Sequence, residues 1–396
     1  MPGSKHEPHV RGTPGDRAID LGSLRREIAV RDEGRPGPLV LITAGLHGNE
    51  PAGVAAVERL FEALGSTPTG GRLLALAGNL GALRTGDRHR GQDLNRLWTE
   101  ENLLALAHRD PFDDRPDEVE LRALFSLIEA ERDAARARGR EVVLLDLHST
   151  SARGGAFSVV ADSIPSRRLA RAIGLPVVLG LEQRIEGPLM TWLVSQGDTA
   201  TVVEGGQHED PATADVLYDA LWVALDHVGV LPEEDERVTL ARTRLESRRG
   251  DSPRVLDLVY AHVIEPEDGF VMEPGWTNFR TVVQGQTLAL QRGEIVQAPL
   301  DGYMLMPLYQ GLGTEGFFLC RPVGSLWLFA SRVLRRSFAE SALRILPSVH
   351  SLDSRAGEIV VDRGSPAWLN RVLHLFGFRK NAPIGERTVW TRRPQG

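Results

Sequence analysis

The hydrophobic positions of this chain change period twice. Between about residues 35 and 230, short apolar runs alternate with longer amphipathic stretches. The runs PLVLITAG (38–45), RLLALAG (72–78), EVVLLDL (141–147), PVVLG (176–180) and TATVVE (199–204) are apolar at consecutive positions. Strands written this way must be covered on both faces. The stretches 51–64, 116–138 and 211–228 instead carry apolar residues three and four apart, which predicts helices with one buried stripe. Pro51 stands where a first helical turn accepts proline. Strands alternating with helices predict an α/β domain over 35–230 whose sheet is parallel at its centre, preceded by an N-terminal extension and first strand over 1–34.

The segment LPEEDERVTLARTRLESRRGDSPR (231–254) is dense in charge and reads as a linker. Beyond it, residues 255–322 give short strand-like pieces punctuated by glycine, which predicts a small all-β domain, a barrel or a sandwich. From 323 to 396 helical spacing returns, in 326–346 and 368–376, with arginines among the apolar residues, so the tail reads as helical. Amphipathic helices of this kind pack on their own protein or on a second copy of it more often than on a membrane, so a homo-oligomer is among the expectations.

Composition narrows the function. With 42% hydrophobic and 25% charged residues the chain falls among ordinary globular proteins, and its 396 residues suffice for two or three domains. A net charge of −7 argues against nucleic acid or an acidic membrane surface as partner. The first twenty residues lack the apolar centre of a signal peptide and no apolar run approaches membrane-spanning length, so a soluble cytoplasmic protein is expected. The single cysteine, Cys320, rules out an intrachain disulfide and a Cys-rich metal site. Any transition metal must therefore rest on histidine and carboxylate.

Those residue types occur in the right places. The first predicted strand of the α/β domain runs into AGLHGNEPAG, which puts His47 and Glu50 just past its carboxyl end, where open α/β sheets build their sites. The strand LLDLHST ends in the same way on His148. Two imidazoles and one carboxylate, with a fourth position left for water, make the ligand set of a hydrolytic zinc site. A base is also required, and Glu204 ends its apolar strand before two glycines; Glu186, which begins a loop, is the weaker rival. The segment NLGALRTGDRHRGQDLNRLW adds Arg84, Arg88, Arg90 and Arg96, with Asn95 beside the last. One arginine fork suits a substrate carboxylate and a second suits a developing oxyanion.

HGNE, DLNR, DLHST and EGGQ, in that order, resemble the succinylglutamate desuccinylase/aspartoacylase family, a branch of the zinc carboxypeptidase superfamily. The resemblance implies a mixed sheet flanked by helices with a small C-terminal β domain. It implies one zinc ion per chain on His47, Glu50 and His148, with Glu204 as general base. Arg88 would polarise the scissile carbonyl, and Asn95 and Arg96 would hold the carboxylate of a small-molecule substrate. A further substrate-binding arginine falls nearest Arg184. Family members place a β-domain tyrosine on the substrate; here YQGLGTEGFFL offers Phe317 or Phe318 at that place, with Tyr303 and Tyr309 out of register.

The resulting expectation is a zinc-dependent deacylase that cleaves the amide of an N-acyl amino acid or related small carboxylate. A carboxypeptidase-like hydrolase of a small peptide or isopeptide shares the site. A non-catalytic binding protein would keep the fold without needing an open metal site.

Overall fold

The computed structural model describes residues 20–310, 313–336, 348–351, 358–362, 365–376, 378–384 and 387–392. The α/β region opens with β1 (Glu27–Asp32), β2 (Leu39–Ala44), α1 (Ala52–Leu64), β3 (Arg72–Ala77), α2 (Leu80–Thr85), α3 (Glu100–His108) and α4 (Pro116–Ala137). It continues through β4 (Val142–Thr150), β5 (Phe157–Val159), α5 (Ile164–Ile173), β6 (Val177–Leu179), α6 (Leu189–Ser195), β7 (Thr199–Gln207), α7 (Ala212–His227) and α8 (Glu236–Arg249). The helices expected over 51–64, 116–138 and 211–228 are α1, α4 and α7.

Strands β3, β2, β4 and β7 lie side by side and parallel, with β1 antiparallel on the outer edge of β3. All the residues of β2 and of β4 are buried, polar Thr43, Asp146 and His148 among them. One face of the sheet carries α1, α5, α7 and α8 over a core that includes Val40, Ile42, Leu145 and Trp222. The other face carries α3, α4 and α6 over Leu41, Leu144, Leu124 and Trp192. Because β2 and β4 are in register at Ala44 and Leu147, and β4 and β7 at His148 and Glu204, the carboxyl ends of three neighbouring strands finish at one level.

The charged segment expected as a linker contains a helix. In α8, Val238, Ala241 and Leu245 are buried at three- and four-residue spacing and face α7. Its basic residues also have partners there: Arg244 pairs with Asp219, and the Arg237 guanidinium lies 4.2 Å from the centre of the Trp222 ring. Charge density hid the stripe, because three buried apolar residues in fourteen suffice when the helix covers only the edge of another.

The β region comprises β8 (Val255–Val263), β9 (Val271–Met272), β10 (Thr281–Val282), β11 (Thr287–Gln291), β12 (Glu294–Gln297), β13 (Gly302–Leu305) and β14 (Glu315–Pro322). It continues the central sheet without a break. After β7 the order runs β5, β6, β8, β14, β13, β10, and β8 pairs with β6 in parallel. A separate three-stranded sheet of β9, β11 and β12 closes over Met304, Phe317, Leu319 and Trp276, giving the region its own small core.

The tail is not purely helical. Between α9 (Ser325–Arg336) and the last residues lie β15 (Val349–Ser351), β16 (Glu358–Asp362), α10 (Ala367–Leu375), β17 (Phe378–Ile384) and β18 (Arg387–Arg392). The four strands form an antiparallel sheet in the order β15, β16, β18, β17, on which Leu369 and Leu373 of α10 pack beside Trp390 and Phe378. The stretches EIVVD and RTVWTR are short and rich in β-branched and aromatic residues, and the helical reading overlooked that. The second half of the helix expected over 326–346 lies outside the described residues. Among the described residues no helix is long and apolar enough to cross a membrane.

Candidate metal and substrate site

The chain leaves β2 through Gly45, whose φ of +71° makes the turn toward His47. Gly48 then passes so close to the loop before Arg88 that a Cβ there would sit 2.1 Å from the Ala82 carbonyl carbon and 2.4 Å from the Asp87 oxygen. With that approach allowed, the Gly48 N–H donates to the Arg88 carbonyl at 3.1 Å, and Glu50 swings back over the sheet.

Glu50 sits between the two imidazoles. Its Oε1 is 2.9 Å from His47 Nδ1, and its Oε2 is 3.0 Å from His148 Nδ1 and accepts from the Ser149 N–H at 2.9 Å. One ligand atom from each of His47, Glu50 and His148 lies within 4.8 Å of the others, and all three side chains are buried. The far ring nitrogens are also engaged. His47 Nε2 is 3.0 Å from Asp93 Oδ1, and His148 Nε2 is 3.1 Å from Asp146 Oδ2. Each imidazole is thus turned by a carboxylate so that Nδ1 faces the common point, the usual arrangement of metal-binding histidines.

The electrostatics favour a cation. Burial alone would raise the Glu50 carboxyl, but His47 and His148 overcome it and hold the group well below the ordinary range. Burial alone would lower His148, yet Asp146 and Glu50 lift it well above its ordinary value. A buried group of acids that pulls protons onto its own histidine is a site short of positive charge. The donor set, two imidazole nitrogens and one carboxylate oxygen, fits a divalent transition ion.

Glu204 flanks His148 on the adjacent strand, and its Oε2 is buried with no hydrogen-bond partner. Burial pushes its carboxyl up to about 8, with Glu50 and Asp146 adding to the rise and His148 and Arg88 opposing it. The rival Glu186 is exposed. Of the arginines, Arg88 reaches the site: it donates to Asp93 at 2.8 Å and stands 3.8 Å from Glu50 Oε1. Arg84 and Arg90 are exposed and absent from the cavity wall. The loop carrying Arg88 is pinned by buried Asp117 at the start of α4, which accepts from the Arg90 and Gln92 N–H groups at 3.0 and 2.9 Å.

These residues line one cavity of about 330 Å³, which Asn95 and Arg96 also enter. Asn95 is buried, its Oδ1 accepting from the Leu189 N–H at 3.0 Å. Gly187, at φ +77°, lets the loop before α6 run against Arg96, where a Cβ would lie 2.2 Å from the Arg96 carbonyl oxygen. Arg184 is different. The tight turn Leu181–Gln183 directs Leu181, Glu182 and Ile185 to the cavity and leaves Arg184 exposed, away from its wall.

The β region supplies the roof. Alternation along β14 sends Phe318 to the cavity and Phe317 into the β core, where it stacks on His262 at 4.8 Å. Tyr309 is turned away, its hydroxyl donating toward the Glu273 and Trp276 carbonyls at 2.9 and 3.0 Å, and Tyr303 does not line the cavity. Asn278 joins roof to floor: its Oδ1 accepts from the Met306 N–H at 2.7 Å and its own N–H donates to the Arg153 carbonyl at 2.9 Å.

Sequence reasoning passed over Asp93, Asp146 and His208. Asp146 had a usable signal, since a residue two before His148 in a strand shares its face. His208, whose Nδ1 is 2.8 Å from Ser149 Oγ, had none. Asp146→Ala is expected to weaken metal binding about 10- to 100-fold in competition with a chromogenic chelator. An unchanged affinity would remove Asp146 from that role.

Taken together, a large mixed sheet flanked by helices carries at its adjacent strand ends a His–Glu–His group that could hold a metal ion, an α/β fold with its candidate site at the strand ends. Residues 36–221 match the succinylglutamate desuccinylase/aspartoacylase catalytic domain. A succinylglutamate desuccinylase of Paraburkholderia xenovorans is 36% identical over 146 residues, which is 36% of this chain and 40% of that protein. A second, of Burkholderia pseudomallei, is 35% identical over 147 residues, covering 37% and 39%. The chain therefore spans about two fifths of the length of the curated relatives it matches. In fold it is similar to a succinylglutamate desuccinylase/aspartoacylase of Rhodobacter sphaeroides (TM-score 0.54, 20% identity, 74% of this chain and 87% of the other). It is also similar to an ectoine utilization protein of Ruegeria pomeroyi (TM-score 0.53, 19% identity, 73% and 86%).

Proposed function

We propose that this chain is a zinc-dependent amidohydrolase that removes the acyl group from an N-acyl amino acid or a related small carboxylate. One observation carries the reading: a buried His–Glu–His group shares a cavity with an unpartnered buried carboxyl, Glu204, and with Arg88. His47, Glu50 and His148 would hold one zinc ion, which when bound supplies Lewis acidity toward the scissile carbonyl and toward water.

The remaining roles fall to the chain itself. Glu204, with no hydrogen bond to tie it down, takes the proton of the attacking water and returns it to the leaving nitrogen. Arg88 donates to the oxygen on which charge develops, and Asp93 fixes its direction. Arg96, with Asn95 beside it, anchors the carboxylate of the substrate. Phe318, Met306 and Leu308 roof the cavity, which favours a small amide over an extended peptide. The test is a screen of N-acyl amino acids against dipeptides, with and without a chelator. Release of the free amino acid from N-acyl substrates alone, lost on chelation and restored by zinc, is the expected result. Preferential dipeptide cleavage would move the assignment to the peptidase reading.

A further inference from the structure

The cavity wall carries two kinds of lining. His47, Glu50, His148, Arg88 and Arg96 are polar, whereas Val159, Met190, Val202 and Phe318 belong to one hydrophobic cluster with Met306 packed against it, and Leu308 adds a further apolar side chain to the wall. We propose that this apolar wall receives an uncharged, apolar acyl arm, so that short aliphatic N-acyl amino acids are better substrates than N-succinyl ones. The proposal rests on the deacylase reading above and specifies its substrate class.

The apolar surface begins beside the base. Val202 lies two residues before Glu204 on β7, on the same face, and pairs across the sheet with Val159 of β5. From the roof, Met306 holds a φ of +48°, a backbone state that methionine rarely adopts. Its N–H bond to buried Asn278 keeps it there. A strained residue fixed over a cavity marks a place where side-chain direction matters.

Positive charge is scarce. Among the described residues that line the cavity, Arg88 and Arg96 carry the only fixed positive charges. Arg88 donates to Asp93, and Arg96 stands 3.8 Å from Asp93 and 4.0 Å from Glu315. With Arg88 on the carbonyl and Arg96 on the amino acid's carboxylate, no cation remains for the distal carboxylate of a succinyl group. Glu182 and Glu315 on the wall add acid rather than base. A carboxylate desolvated against valine, methionine and phenylalanine without a partner is strongly disfavoured, whereas an alkyl group there gains from burial.

The experiment uses the full zinc-loaded chain and compares N-acetyl, N-butyryl and N-succinyl derivatives of the same amino acids. N-butyryl substrates are expected to exceed N-succinyl ones in kcat/KM by about 100-fold, the scale on which an unpaired buried charge discriminates. Equal or better N-succinyl turnover overturns the proposal. Calorimetric titration with butyrate and with succinate reads the same preference without chemistry. If no amide is cleaved, the deacylase reading fails while tighter butyrate binding still supports the apolar arm; succinate binding as tightly, or neither acid binding, overturns it. Leu308→Arg places a cation on a half-buried wall position and is expected to shift the butyryl-to-succinyl ratio about tenfold toward succinyl. An unchanged ratio in the folded variant counts against the proposal, and if that variant does not fold the wild-type ratio decides.

Discussion

Glu204→Gln is expected to lower turnover about a thousandfold while zinc stays bound, because the substitution removes the proton acceptor and leaves His47, Glu50 and His148 intact. Single-turnover assays on the best substrate of the screen, paired with metal analysis, check both halves. Turnover within tenfold of wild type would dismiss Glu204 as the base. The same variant has a thermodynamic signature in metal-free protein. Burial holds the Glu204 carboxyl at about 8 in the fold, against 4.5 when it is free. Between those values the unfolded chain ionises this group and the folded one does not, so the wild type loses stability as pH rises through the window. Glutamine does not titrate. The stability advantage of the variant without metal should therefore widen from pH 4.5 to about 8 and then level off, measured by urea unfolding. A gap independent of pH would show that the carboxyl is solvated after all.

The second large effect is loss of the metal. Chelation is expected to abolish hydrolysis, and zinc added back at about one equivalent to restore it. Glu50→Ala should do the same irreversibly, because it removes a ligand and strips both Nδ1 atoms of the carboxylate that faces them. Zinc content measured after dialysis should fall from about one per chain to a small fraction of that. The chelated wild type should also melt at a lower temperature, since a ligand bound at a thousand times its Kd contributes about 4 kcal/mol. Full activity in chelator would refute metal dependence altogether, whatever the identity of the ion.

The site was more legible than the domain plan. HGNE and DLHST both follow apolar runs, so a reader who expects sites at strand ends finds His47, Glu50 and His148 from the text. Glu204 was legible for the same reason. Arg88, by contrast, could be separated from Arg84 and Arg90 only by family spacing. In the fold the separation is physical: Asp117 pins the loop so that Arg88 turns inward to Asp93 and its neighbours stay exposed. Arg184 shows the reverse case, where one short turn directs Leu181, Glu182 and Ile185 inward and the candidate itself outward.

The linear text thus determined which strands are buried on both faces, which helices flank them and that His47, Glu50 and His148 fall at strand ends, because strand-end position follows from local periodicity. Tertiary structure decided what periodicity cannot encode. Strand order put β2, β4 and β7 side by side; β8 and β14 extended the same sheet into the roof; and the alternation of β14 sent Phe318 rather than Phe317 to the cavity. Those outcomes depend on pairings between residues about fifty to a hundred positions apart, such as Leu39 with Val142 and Val143 with Thr199, and no local pattern carries that information.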